Sequence, residues 1–170
     1  MKPDFFLRYA RHYGANYIYN PALNALGLCT ELGEFAEKPS VDEAGDVLFH
    51  VALLCDTTRL IVWSGLCVTL DHYVSTASST APTLASVLCK LDHVKKLLAG
   101  SPYANPVRAA EGLRDAAVFV LMNFDLEQAM RRGIAKRARL AGGIHSPEIE
   151  TLLAEVEPSN PLVVMLTPVR

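Results

Sequence analysis

The 170-residue sequence has no apolar run long enough to cross a membrane. A spanning helix needs about 20 largely apolar residues, whereas the strongest candidate, residues 60–70, is short and lies between Arg59 and Asp71. The first 14 residues carry charges within their apolar part, unlike a secretory signal peptide. These absences predict a cytoplasmic protein with no membrane partner.

The sequence also has almost no excess of charge of either sign. Its 16 basic and 18 acidic residues give a net charge of −2. Nucleic-acid-binding domains usually carry a clear positive excess, so this balance predicts no nucleic-acid partner.

Closely spaced pairs of cysteine or histidine are missing as well. The four cysteines form no CxxC pair, and the five histidines show no HxH or HxxxH spacing. Zinc sites usually draw on such pairs, so a zinc site is not expected. All four cysteines lie in apolar segments, which predicts buried free thiols in a reducing compartment.

Apolar residues, in contrast, are abundant. They make up 51% of the chain, and the mean hydropathy is +0.20, which excludes a disordered chain. The length indicates one main domain. Because no run can enter a membrane, we expect the apolar excess to be covered by a core and by other copies of the chain. The prediction is a homodimer or homotetramer, with residues 60–70 and 162–166 as contact surfaces.

The spacing of apolar residues predicts an all-α fold, because strictly alternating stretches are few. A polar segment at 75–83 predicts a loop, and Ser40 followed by Glu43 has the spacing of a capping box at a helix start. Residues 1–145 are predicted to form the domain, and 146–170 a C-terminal helix and extended tail that contacts another copy. The predicted helices cover residues 4–19, 21–37, 41–59 with apolar helical sequence continuing towards 73, 84–99, 107–122, 125–141 and 146–156.

Two pairs of acids flank one short turn. Glu31 and Glu34 end one predicted helix, and Glu43 and Asp46 begin the next. Residues three apart share a helix face, and the three-residue turn at 38–40 predicts an antiparallel hairpin in which the two pairs meet. Converging carboxylates need a counter-charge, and Mg²⁺ is a hard cation that prefers oxygen ligands. A single such pair is usually a pair of surface acids, but two pairs around one turn favour a metal site.

The segment that carries these acids, GLCTELGEFAEKPSVDEAGDVLFHVALL, resembles the signature of the MazG-like all-α nucleoside triphosphate pyrophosphohydrolases. That signature is an ExxE pair, a linker, and an ExxD pair followed by Val-Leu-aromatic, and Gly33 and Gly45 also fit it. The match covers residues 27–54, less than a fifth of the chain. A second segment, 133–139, resembles the family's N-x-x-K-x-x-R segment, with Gly133 in place of the asparagine and Lys136 retained.

The resemblance implies hydrolysis of a nucleoside or deoxynucleoside triphosphate to the monophosphate and pyrophosphate, a reaction suited to cleansing the nucleotide pool. It implies Mg²⁺, or Mn²⁺, bound by Glu31, Glu34, Glu43 and Asp46, with Glu34 accepting the proton of the attacking water. Lys136 is expected to bind phosphate, together with Lys38, Lys95 or Arg139. His50 lies one turn after Asp46 and is expected to contact the substrate or an acid, or else to pack at the edge of the core.

Two alternatives remain open at this point, and so do the residues that contact the base. The substrate can be another nucleotide, such as phosphoribosyl-ATP or a dUTP-like molecule. The protein can also be a non-catalytic helical module that binds metal or nucleotide. Several polar and aromatic residues are candidates for contacts with a base, although aromatic residues on apolar helices usually belong to the core: Asn16, Tyr17, Asn20, Asn24, Trp63 and Tyr73.

Residues 111–120, EGLRDAAVFV, faintly echo residues 42–51, DEAGDVLFHV. The echo is consistent with a degenerate internal repeat whose second half keeps the helical hairpin and loses the metal acids. A coincidence of two apolar helix patterns explains it equally well.

Overall fold

The computed structural model describes residues 1–76 and 81–156 of the chain. Within these residues the chain forms nine helices and no strand, which confirms the all-α prediction. The predicted tail at 161–170, with its contact surface at 162–166, lies outside the described residues, as does part of the predicted loop at 75–83. The helices are α1 (Pro3–Tyr13), α2 (Ala15–Tyr19), α3 (Pro21–Glu37), α4 (Val41–Thr58), α5 (Trp63–Thr76), α6 (Leu84–Leu98), α7 (Pro106–Leu121), α8 (Leu126–Ala141) and α9 (Pro147–Val156).

The two helices that carry the acid pairs begin at the predicted residues for identifiable local reasons. At the start of α3, Asn20 Oδ1 accepts a hydrogen bond from the backbone N–H of Leu23 at 3.1 Å. At the start of α4, Ser40 Oγ accepts one from the backbone N–H of Glu43, also at 3.1 Å. Each cap satisfies a donor that the first helical turn leaves free. The prediction of Ser40 as an N-cap is therefore confirmed.

The predicted helix at 4–19 is wrong in one respect, because Gly14 divides it into α1 and α2. A Cβ atom at Gly14 would lie 2.5 Å from Leu53 Cδ1 and 2.9 Å from Phe49 Cζ. The chain thus approaches α4 too closely here for any side chain. This contact comes from the tertiary structure, so local helical spacing could not reveal it.

Residues 60–70, the predicted contact surface for another copy of the chain, are only partly exposed. The chain leaves the helix at Arg59, whose φ of 57° is left-handed, and α5 begins at Trp63. The apolar side chains of Trp63, Leu66, Cys67 and Leu70 are buried in the chain's own core. Val62 and Val68 remain exposed, so only part of this stretch is available to another copy.

Helix α4 lies at the centre of the fold. All its residues from Ala44 to Cys55 are buried, and it packs against α1, α3, α7 and α8. A helix that is buried on every side needs mostly apolar residues, so this helix explains much of the apolar excess. None of the helices within 1–76 and 81–156 has the length and hydropathy that crossing a bilayer requires.

Helices α4 and α8 touch backbone to backbone at two glycines. A Cβ atom on Gly133 would lie 2.6 Å from the carbonyl oxygen of Gly45, and one on Gly45 would lie 2.5 Å from the carbonyl oxygen of Ala129. No larger residue fits at either position without moving a helix. Residues three and four beyond Gly133 share its helix face, so the contact directs Lys136 and Arg137 towards α4.

The Gly133→Ala variant is expected to lose about 1–3 kcal/mol of unfolding free energy, because the added methyl group meets rigid backbone. Gly33→Ala is the matched control, since no atom lies within 4 Å of the added Cβ and the position is inside α3. The unfolding free energy of that control should rise by up to about 1 kcal/mol, because alanine has a higher helix propensity than glycine. Urea denaturation followed by circular dichroism measures both changes. Equal stability of the two variants would contradict the close contact.

The four cysteines are free, but only Cys55 and Cys67 are buried as predicted, because Cys29 is half-buried and Cys89 is exposed on α6. Burial raises the pKa of Cys55 and that of Cys67 to about 12. With a disulfide-exchange reagent at pH 8, we expect Cys89 to react rapidly and these two thiols to react only after unfolding. The Cys89→Ser variant should lack the rapid phase. Rapid reaction of three or four thiols in the native protein would contradict this packing.

Candidate metal centre

Three of the four predicted metal ligands come together between α3 and α4. Glu31 from α3 and Glu43 and Asp46 from α4 each offer a carboxylate oxygen, and these oxygens all lie within 4.8 Å of one another. Asp46 is fully buried, whereas the other two acids are partly exposed. This group of acids, called the acid cluster below, could hold a metal ion.

Glu34, the fourth predicted ligand and the predicted proton acceptor, does not belong to the acid cluster. Its side chain is exposed in the penultimate turn of α3. It is nevertheless near enough for its negative charge to raise the pKa of Glu43. Glu34 therefore lies at the rim of the site.

Two cations from α8 neutralise part of the acid cluster. Lys136 Nζ donates a hydrogen bond to Asp46 Oδ2 and lies 3.6 Å from Glu43 Oε1. Arg137 Nη2 lies 2.9 Å from Asp46 Oδ1 and 3.4 Å from Glu31 Oε1. Lys136 was predicted to belong to the site, but Arg137 was not. Its position directly after Lys136, in a basic stretch, was the only signal for it in the sequence.

These cations do not offset all the negative charge of the acid cluster or supply hydrogen bonds to all its oxygens. Three carboxylates face two cations, and Glu43 Oε2 and Asp46 Oδ1 are buried without a hydrogen-bond partner. Asp46 Oδ1 is close to Arg137, but the contact is an ion pair without hydrogen-bond geometry. A buried polar atom without a partner costs about 1–3 kcal/mol. Carboxylate oxygens of this kind are ligands for hard divalent cations, so the residues fit such an ion.

The three acids differ in their affinity for protons. Burial raises the pKa of Asp46 above its usual value, although Lys136 and Arg137 act in the opposite direction. Burial also raises the pKa of Glu43, and the neighbouring acids add to this effect. Burial acts to raise the pKa of Glu31, but the pKa is lowered overall by His50 when its ring is protonated and by the charges of Arg137 and Lys136.

His50 is buried beside the acid cluster, a position that fits both expectations for it, contact with an acid and packing at the edge of the core. Its Nε2 atom is 3.8 Å from Glu31 Oε1, and its Nδ1 atom is 2.6 Å from Asn24 Oδ1. The ring of Tyr17 packs edge-on against it, with ring centroids 4.8 Å apart. Two candidates for base contacts, Asn24 and Tyr17, thus surround His50 instead.

The other predicted residues lie farther out. Trp63 belongs to the core, packs on Phe6 and donates its Nε1–H to the carbonyl of Pro3 at 3.2 Å. Lys38 is exposed just after α3, and Lys95 pairs with Asp92 on its own helix at 3.9 Å. Within the described part of the chain, neither lysine forms an ion pair with the acid cluster. Arg139 is exposed in the last turn of α8.

A second aspartate–lysine–arginine group is formed by two residues of α7, within the sequence echo at 111–120, and a lysine of α6. In the register of the echo, Asp115 takes the position of Asp46, so one acid of the set is retained. Asp115 Oδ2 accepts a hydrogen bond from Lys90 Nζ at 2.5 Å, and its Oδ1 accepts two from Arg114, at 2.7 and 2.9 Å. Lys90 is also 3.8 Å from Glu111. Here two acids face two cations and both oxygens of Asp115 are satisfied, so this group has no need of a metal ion.

No known family model, curated protein or solved structure matches the chain.

Metal affinity should fall when the pH is lowered from about 7 to about 5. Ordinary carboxyl groups, with pKa values of about 4, stay ionised over this range, but the raised pKa values of Glu43 and Asp46 let protons compete with the metal at higher pH. Titration with Mn²⁺ at a series of pH values measures the effect. Glu43→Gln, which removes one of the two raised groups, should weaken the pH dependence. An affinity that stays constant down to pH 5 would contradict this assignment.

Proposed function

We propose that the protein is a metal-dependent nucleoside triphosphate pyrophosphohydrolase, which releases the monophosphate and pyrophosphate and uses Mg²⁺ or Mn²⁺. The observation that carries this proposal is the acid cluster, in which two buried oxygens lack a hydrogen bond, next to a lysine that reaches the surface. Such a group can hold a divalent cation and bind phosphate at the same place.

The contact between two distant segments supports the proposal. The segments that resemble the MazG-like family, 27–54 and 133–139, are far apart in the chain, yet Lys136 of one hydrogen-bonds Asp46 of the other. Helices α3 and α4 also pack on each other across the connection at 38–40. We infer that they form the antiparallel hairpin that presents the acids.

The residues around the acid cluster suggest separate roles. A bound divalent cation would offset negative charge on the phosphate oxygens and make water a better nucleophile. The Lys136 side chain is 37% exposed, so its ammonium group can turn from Asp46 to an incoming triphosphate. Arg137 is only 18% exposed and its guanidinium lies 4.7 Å from the centre of the Phe49 ring. It is thus suited to keep Glu31 and Asp46 in position.

Glu34 is suited to proton transfer because it lies at the rim. Its carboxylate is exposed and close enough to Glu43 to affect it electrostatically. A carboxylate outside the ligand set can accept a proton from the attacking water. We therefore keep Glu34 as the proposed base and assign the ligands to Glu31, Glu43 and Asp46.

A second candidate function is a helical module that binds metal or nucleotide without catalysis. The ion pairs of Lys136 and Arg137 favour this function, because they offset two of the three negative charges without any metal. Among catalytic alternatives, a dUTP-like nucleotide or phosphoribosyl-ATP would use the same acids and the same lysine.

The decisive experiment is a panel of ribonucleoside and deoxyribonucleoside triphosphates, including dUTP, together with phosphoribosyl-ATP, assayed for pyrophosphate with Mg²⁺ or Mn²⁺. We expect turnover of at least one substrate and a loss of about 100-fold in Asp46→Asn, because the cation loses a ligand. Asp115→Asn is the matched control, since it has the same residue type, lysine and arginine partners but no third acid. Its turnover should be unchanged once folding is verified by circular dichroism.

The remaining outcomes separate the candidates. Nucleotide binding without turnover would favour the non-catalytic module. Release of phosphate in place of pyrophosphate would exclude pyrophosphohydrolysis, and equal turnover of Asp46→Asn and the wild type would exclude this site. Glu34→Gln should lower turnover while leaving Mn²⁺ affinity unchanged, whereas Glu31→Gln should lower both.

A further inference from the structure

The hydrogen bonds of Asn24 define which nitrogen of His50 carries a proton. Asn24 Nδ2 donates to the backbone carbonyl of His50 at 3.4 Å, which turns Asn24 Oδ1 towards His50 Nδ1 at 2.6 Å. An amide oxygen can only accept a hydrogen bond, so Nδ1 is the donor. In the neutral ring, the lone pair therefore lies on Nε2.

That lone pair points to the edge of the acid cluster and has no partner. His50 is 1% exposed, and its Nε2 atom is buried without a hydrogen bond. Its distance of 3.8 Å from Glu31 Oε1 exceeds the range of about 2.7–3.2 Å for an N–H···O hydrogen bond. Two ligand atoms that are each about 2.1 Å from one ion lie at most about 4.2 Å apart. The distance therefore suits two atoms that share a cation.

The ring is also held rigidly in this orientation. A Cβ atom at Gly27 would lie 2.6 Å from His50 Cε1, so only glycine leaves room for the ring. Tyr17 packs against the ring, and Asn24 is fully buried. Histidines that bind metals typically donate their second N–H to a fixed acceptor, and Asn24 supplies that acceptor.

We propose that Nε2 of His50, which lies outside the group of acids whose oxygens are within 4.8 Å of one another, joins Glu31 in binding a cation at the edge of that group. The site then combines nitrogen and oxygen ligands, and it binds a divalent first-row transition metal such as Mn²⁺ or Co²⁺ more tightly than Mg²⁺. This inference rests on the metal-binding part of the proposed function, but it does not depend on the nucleotide that is hydrolysed.

Pulsed electron paramagnetic resonance of the Mn²⁺-loaded protein tests the proposal directly, because it detects nitrogen bound to the metal. We expect ¹⁴N modulation in the wild type, and its replacement by ¹⁵N modulation when only the histidines are labelled with ¹⁵N. This comparison needs no variant, so it cannot fail through misfolding. It also separates histidine from the nitrogens of Lys136 and Arg137.

Variants then identify the histidine. His50→Gln should lose the modulation and bind Mn²⁺ about 10–100-fold more weakly, with a smaller change for Mg²⁺. His93→Gln is the control, because the ring of His93 on α6 accepts a hydrogen bond from the backbone N–H of Asn105 at 3.3 Å. It should keep both the modulation and the affinity.

Three results would overturn the proposal, and they differ in what else they exclude. Mn²⁺ bound without histidine nitrogen modulation would show that His50 is not a ligand, and it would leave the proposed hydrolase intact. Failure of the wild type to bind any divalent metal would exclude the nitrogen ligand and the metal-dependent function together. Modulation that persists in His50→Gln would also overturn it.

Discussion

The backbone contact between α4 and α8 is the constraint on which the rest of the site depends. Because Gly45 and Gly133 have no side chains, the two helices approach until their main chains touch. This approach lets Lys136 and Arg137 reach Asp46, which lies next to Gly45 in the buried part of α4. Without these counter-charges, a fully buried aspartate in this position would be strongly destabilising. The ion pairs of Asp46 therefore depend on the close packing of α4 against α8.

The chain contains two similar groups of charged residues, and they differ in how completely their acids are paired. Asp46 and Asp115 are both buried, and each pairs with one lysine and one arginine. The group around Asp115 is balanced and hydrogen-bonded, as expected of a purely structural ion pair. The group around Asp46 has an additional carboxylate, and two of its buried oxygens lack a hydrogen bond. The two groups thus have the same types of paired residues, and the additional carboxylate around Asp46 is the feature that suits a cation.

The sequence predicts the local features of the fold well and the tertiary ones poorly. The bounds of α3 and the Ser40 cap follow from proline, capping residues and apolar spacing, and the convergence of Glu31, Glu43 and Asp46 follows from the short connection. The break at Gly14, the burial of Trp63 and the exposure of Glu34 depend on how helices pack, which spacing does not encode. Arg137 and the pairing of Asn24 with His50 were missed for the same reason, since their partners lie 106 and 26 residues away.

The burial of Asp46 also has a consequence for the order in which the chain folds. Its hydrogen-bond partner Lys136 follows 90 residues later, on α8. Closing so long a segment is slow compared with forming the neighbouring helices α3 and α4. Until α8 docks, the face of α4 that carries Asp46 must stay in contact with water, because burial of an unpaired carboxylate is too costly. The acids therefore come together with their cations only in a late step, after most of the surrounding helices have formed.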